Sequence, residues 1–71
     1  MCEVGSVVVA LTTETWFSFH KGAVLVRAGD TGWVTDMDAE TRGDVVITMA
    51  NTMAKLPFAF FPEDDFKVIL V

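Results

Sequence analysis

The 71-residue chain has one cysteine, one histidine, two prolines and five lysines and arginines. Each shortage excludes something. Cys2 alone cannot close an intramolecular disulfide, so no disulfide framework holds this fold. Cys2 and His20 fall short of the roughly four ligands that a structural zinc site needs, and no metal or cofactor is expected. Lys21, Arg27, Arg42, Lys55 and Lys67 are scattered among ten acidic residues, for a net charge of −5. They form no basic stripe to displace counterions from phosphates, so direct nucleic-acid binding is not expected, nor is attachment to an anionic membrane. No run approaches the ~20 apolar residues of a membrane-spanning helix. The first residues show no cationic stretch leading into an apolar one, so the expectation is a cytoplasmic protein without a signal peptide.

What is present is β-forming sequence. Runs at Val4–Leu11, Gly22–Arg27, Gly32–Met37, Asp44–Met49, Leu56–Phe61 and Phe66–Val71 are rich in β-branched and aromatic residues. Val7, Val9 and Leu11 share one face of the first run by alternation. Residues 12–21 read as a long loop or an irregular hairpin. Gly29-Asp30-Thr31-Gly32 is a turn signal, because glycine supplies positive φ and aspartate bonds nearby backbone. Asp38–Gly43 is a polar connection between two strands, and that pair is the clearest hairpin in the chain. Pro57 cannot donate to a ladder and belongs at a strand start or an edge. Pro62-Glu63-Asp64-Asp65 suits one 3₁₀ turn, with proline at its entry and acids near its positive end. An apolar fraction of 52% compensates for a size near the lower limit for an unassisted core, so residues 1–71 are expected to form one domain.

The order of strand, long loop, Val26–Val34, acidic hairpin, strand, Phe61–Phe66 turn and closing strand resembles an SH3-like barrel. More narrowly, Gly29-Asp30-Thr31-Gly32-Trp33-Val34 resembles the Gly-x-Val core of KOW-type barrels, and Phe61-Pro62-Glu63-Asp64-Asp65-Phe66-Lys67-Val68-Ile69 resembles their last turn and strand. The resemblance implies an all-β fold: a single five-stranded SH3-like barrel with a 3₁₀ turn before the last strand. It implies little about function, since the superfold hosts many roles. KOW barrels that bind RNA are usually basic, whereas this chain is acidic. Peptide-binding SH3 domains carry paired tyrosines and this chain has none, so proline-rich peptide binding is not implied.

The candidate chemistry is sparse. Asp36-x-Asp38-x-Glu40 superficially matches a calcium loop, but the sixth and twelfth positions hold Thr41 and Ile47, not glycine and glutamate. Ser18 and His20 sit two apart, with no third group evident to orient them as a nucleophile and base. An enzyme is not expected. Trp16-Phe17-Ser18-Phe19 is the most informative segment, because alternation puts Phe17 and Phe19 on one face and Trp16 on the other. Either the phenylalanines enter the core with Trp16 partly covering it, or Trp16 and Trp33 are exposed anchors for a partner. Phe58 and Phe60 alternate onto one face and are expected in the core.

The resulting expectation is a non-catalytic protein-interaction module, a small accessory subunit or adaptor. Its partner-binding residues would be Trp16, Phe19, Trp33, Asp36, Asp38, Glu63 and Asp64, steering a protein partner with a basic surface. On this reading Trp16→Ala weakens binding and leaves the fold intact. The alternatives are an acidic nucleic-acid mimic that blocks a basic groove, and a structural homo-oligomer.

Overall fold

The computed structural model describes residues 2–38 and 44–71. Seven strands are present: β1 Val7–Ala10, β2 Glu14–Ser18, β3 Gly22–Val26, β4 Thr31–Asp38, β5 Asp44–Met49, β6 Lys55–Phe58 and β7 Phe66–Leu70. They form two antiparallel sheets, one of five strands in the order β6-β5-β4-β1-β7 and one of two, β2-β3. The described residues include no helix, and so none long and apolar enough to cross a membrane.

The fold is all-β, but the expected five-stranded single barrel is not what forms. Of the two readings of residues 12–21, the hairpin is the one that forms, for they supply β2 and the turn of the β2–β3 hairpin. The strands do not close on themselves. β2 lies along β6, where Phe19 N–H donates to the Lys55 carbonyl at 3.1 Å. Main-chain groups alternate sides along a strand, so Pro57 faces β2 as Lys55 does. Pro57 has no N–H to give, and the β2–β6 ladder ends after one bond. The proline at the sheet edge thus removes one of the bonds that would join the two sheets. The turn at Pro62–Asp65 is formed, with Asp65 N–H donating to the Pro62 carbonyl at 3.0 Å.

The core lies between the sheets. Val8, Val26, Val34, Val45, Ile47, Leu56 and Phe66 are its largest apolar members with Met49. β1 contributes Val8 and Ala10 to it, while Val7 and Val9 lie half-buried on the opposite, outer face and Leu11 is exposed. The sequence of β4 would break this alternation, since Val34 inward would carry Asp36 inward as well. A bulge at Thr35, between the pairs Val34–Ile47 and Asp36–Val46, corrects it. Asp36 is thereby exposed and Met37 packs on the core. The hydroxyls of Thr35 and buried Thr48 hydrogen-bond to each other, which satisfies the polar atom that Thr48 buries.

Gly32 is where β4 passes closest to β5. A Cβ there would collide with the Thr48 carbonyl oxygen and stand 3.2 Å from Met49 Cα. No side chain larger than hydrogen fits without moving β5.

Candidate functional site

The ladder registers define the outer surface row by row. Asp36 stands opposite Val46, and Val46 opposite Pro57. Pro57 reaches the level of Phe17, because the Phe19–Lys55 bond and the Trp16–Phe58 ring contact set β2 antiparallel to β6. Phe17 in turn stands opposite Ala23 on β3. A parallel row runs Val7, Trp33, Thr48, Lys55 and then Phe19. The outer face is therefore apolar at its centre, acidic at one end where Asp36 and Asp44 are exposed, and basic at Lys55.

Three of the sequence candidates, Phe19, Trp33 and Asp36, fall on this face. Phe19 is exposed and Trp33 half-buried. Asp38 is opposite Asp44 in the β4–β5 ladder. The others lie elsewhere. Trp16 is half-buried on the inner side of β2 and packs edge-on against Phe58, ring centroids 5.1 Å apart. Phe58 in turn meets Phe66 at 5.9 Å, so Trp16 extends the core's aromatic stack. Glu63 and Asp64 are exposed in the turn before β7. They line a shallow groove of about 620 Å³ with Phe60 and Phe61.

One of the two readings of the first aromatic segment fails, and the core assignment of Phe60 is corrected. Phe17 and Phe19 do not enter the core, and Phe17 is 76% exposed. The pairing partners decide this, for Trp16 stands opposite Val24 and Phe17 opposite Ala23, and the larger apolar pair goes inward. Phe60 is likewise exposed, at 75%. β6 ends at Phe58, the chain bends at Ala59 and Phe60, and alternation stops there, so Phe61 turns toward the core instead. Phe17 and Phe60 are the candidates that sequence reasoning missed. Its signal for Phe17 was the small size of Ala23 on the partner strand.

The remaining motifs resolve into local structure. The Ser18 hydroxyl donates to the Gly22 carbonyl and accepts the Lys21 N–H, both at 2.9 Å, so it is committed to the hairpin turn. His20 leans on Phe19, 6.4 Å between ring centres, and makes no pair with Ser18. No group of three or more His, Cys, Asp or Glu side chains that could hold a metal exists among the described residues. The calcium-like segment runs into residues 39–43, which lie outside the described residues. Cys2 lines a second groove, about 520 Å³, with Leu11, Phe61 and Val68.

One electrostatic feature joins the sheets. The Thr12 hydroxyl donates to Asp65 Oδ1 at 3.0 Å, and Leu11 N–H donates to the Asp65 carbonyl at 2.8 Å. The Glu14 carboxyl faces the same carboxylate and, when protonated, can donate a hydrogen bond to it. That bond, then the like charge of Asp65, then desolvation hold the Glu14 carboxyl above its ordinary range. No protein-family model matches this chain, and neither does any curated protein or solved structure.

Proposed function

We propose that this protein is a non-catalytic interaction module, an accessory subunit or adaptor of SH3-like type acting in the cytoplasm, and that it docks a protein partner on its outer face. The strand order supports the SH3-like resemblance. β1 is followed by a hairpin excursion, β4-β5-β6 form a meander, and β7 returns beside β1 after a turn. The observation that carries the reading is Phe17. A phenylalanine 76% exposed within a regular strand contributes little to the core, yet it heads a row that includes Pro57, Val46 and exposed Asp36. Aromatic anchors of this kind dominate binding energy, and rim charges steer the encounter. The acids at the Asp36 and Asp44 end suit a partner that is basic beside its apolar contact.

The test is affinity capture from native-host lysate with wild-type protein, Phe17→Ala and Asp36→Asn with Asp44→Asn. The reading predicts a partner that Phe17→Ala loses and that high salt only weakens. A partner lost in salt, displaced by DNA, and indifferent to Phe17→Ala would instead identify a nucleic-acid mimic. Recovery of the chain alone would identify a homo-oligomer.

A further inference from the structure

We infer that β3 is an acceptor edge that takes an extended, acid-flanked peptide segment as an added strand, a second binding mode independent of the outer face. Four strands in this fold lie at a sheet edge, and three of them are blunted or covered. β2 turns its outer edge toward β6 and carries Glu14. β6 carries Lys55 and Pro57 and is overlain by β2. β7 carries Lys67, and its register with β1 is broken by a bulge. Charge, proline and bulges are the usual devices against strand addition. β3 has none of them. Its residues Gly22-Ala23-Val24-Leu25-Val26 are uncharged, and its register with β2 runs unbroken over five pairs.

The free groups on that edge can be named. Phe19 directs its main chain toward β6, so by alternation Ser18, Trp16 and Glu14 direct theirs toward β3. Their partners Gly22, Val24 and Val26 therefore bond inward to β2. Ala23 and Leu25 point their N–H and C=O away from the hairpin, and neither makes a main-chain bond to another element among the described residues. Both residues are exposed. Two residues with unmet donors and acceptors, on an uncharged strand, match the repeat of an antiparallel partner.

Charge selects the occupant. Lys21 and Arg27 bracket β3 and are two of the chain's five cations, both exposed. Asp30 closes the turn beyond, its carboxylate accepting the Arg27 main-chain N–H at 3.0 Å. A second copy is a poor partner here. Full-length antiparallel self-pairing, with Ala23 opposite Leu25 of the other copy, would set Lys21 against Arg27 at both ends. Like charges directly opposite one another destabilise a strand pair. A segment with acidic residues six positions apart and apolar residues between them reverses both contacts. At about 3.3 Å per residue it spans the roughly 20 Å from Lys21 to Arg27.

The probe is a capped seven-residue peptide with acids at its two ends and alternating valine and threonine between them. Its binding is followed by fluorescence anisotropy at low salt against the same peptide ended in lysines. The acid-ended peptide should bind about tenfold more tightly, as expected when two cross-strand pairs change from opposite to like charge. Lys21→Glu with Arg27→Glu should invert that preference. Leu25→Pro removes only an outward N–H and keeps the β2–β3 ladder, and it should weaken binding while the fold persists by circular dichroism. The amides of Ala23 and Leu25 should become protected on binding, and Phe17→Ala should change nothing. Equal binding of the two peptides overturns the proposal. So does undiminished binding of a peptide N-methylated at alternate amides, absence of binding, or a dimer formed through β3.

Discussion

At the scale of single residues, two neighbouring aromatics on β2 do opposite work. Trp16 packs against Phe58 and extends the core, whereas Phe17 faces outward at 76% exposure. Trp16→Ala should therefore cost about 2–3 kcal/mol, reduced from the usual large-to-small penalty because the ring is only half-buried. Phe17→Ala should stay within about 0.5 kcal/mol of wild type. Equilibrium unfolding in urea measures both, and a Phe17 effect as large as that of Trp16 would reverse the face assignment. Gly32→Ala should destabilise by about 2 kcal/mol or more, because its new methyl meets the Thr48 carbonyl rather than a flexible side-chain end. The alternation of Trp16 and Phe17 was legible in the sequence, but which of them faces the core was not. That depends on the sizes of Val24 and Ala23, which meet them only once the hairpin register is set. The exposure of Phe60 was illegible for a different reason, since the strand stops at Phe58 and no periodicity governs the residues after it.

At the scale of elements, the runs that alternate cleanly were readable as strands, and β4–β5 pair as their sequences suggest. The β2–β3 hairpin was only half-readable. Its turn uses Ser18 as a side-chain bridge between Lys21 and Gly22 and contains no Asn-Gly signal. Sheet closure was not readable, because it turns in part on which side of β6 Pro57 presents to β2. That dependence is testable. Pro57→Val restores an N–H directed at the Phe17 carbonyl, and the new amide should exchange at least about tenfold more slowly than an unbonded one. Hydrogen exchange followed by NMR measures this, and exchange at the unbonded rate would mean that something other than proline keeps the ladder open. The acidic connection between β4 and β5 contributes charge whose steering role belongs to the proposed docking at Asp36 and Asp44.

At the scale of the whole molecule, a chain of net charge −5 holds two carboxyls against each other where β2 meets the turn before β7. Glu14 binds its proton more tightly in the folded state than in the unfolded chain. Its contribution therefore favours folding at low pH and is lost as pH rises from its ordinary value of 4.5 through the raised native one. Glu14→Gln should accordingly melt higher than wild type at pH 7, with the difference gone by about pH 4. Thermal unfolding at the two pH values checks the sign, and a variant less stable at pH 7 would contradict it. The distribution of the other charges gives the molecule two unlike margins. Acids gather where β4 meets β5, and Lys21 and Arg27 bracket β3. An adaptor needs two such chemically distinct surfaces if it is to hold two partners at once.

Both the outer face and the acceptor edge rest on the direction in which β2 and β3 point their side chains and main-chain groups. Residue-resolved amide exchange of the wild-type protein tests that direction most simply. Val24 and Val26 should exchange at the slow rate set by opening of the hairpin, while Ala23 and Leu25 between them exchange nearly as fast as in an unstructured chain. The opposite pattern, with Ala23 and Leu25 protected and the valines open, would turn the hairpin over and remove the basis for both binding surfaces.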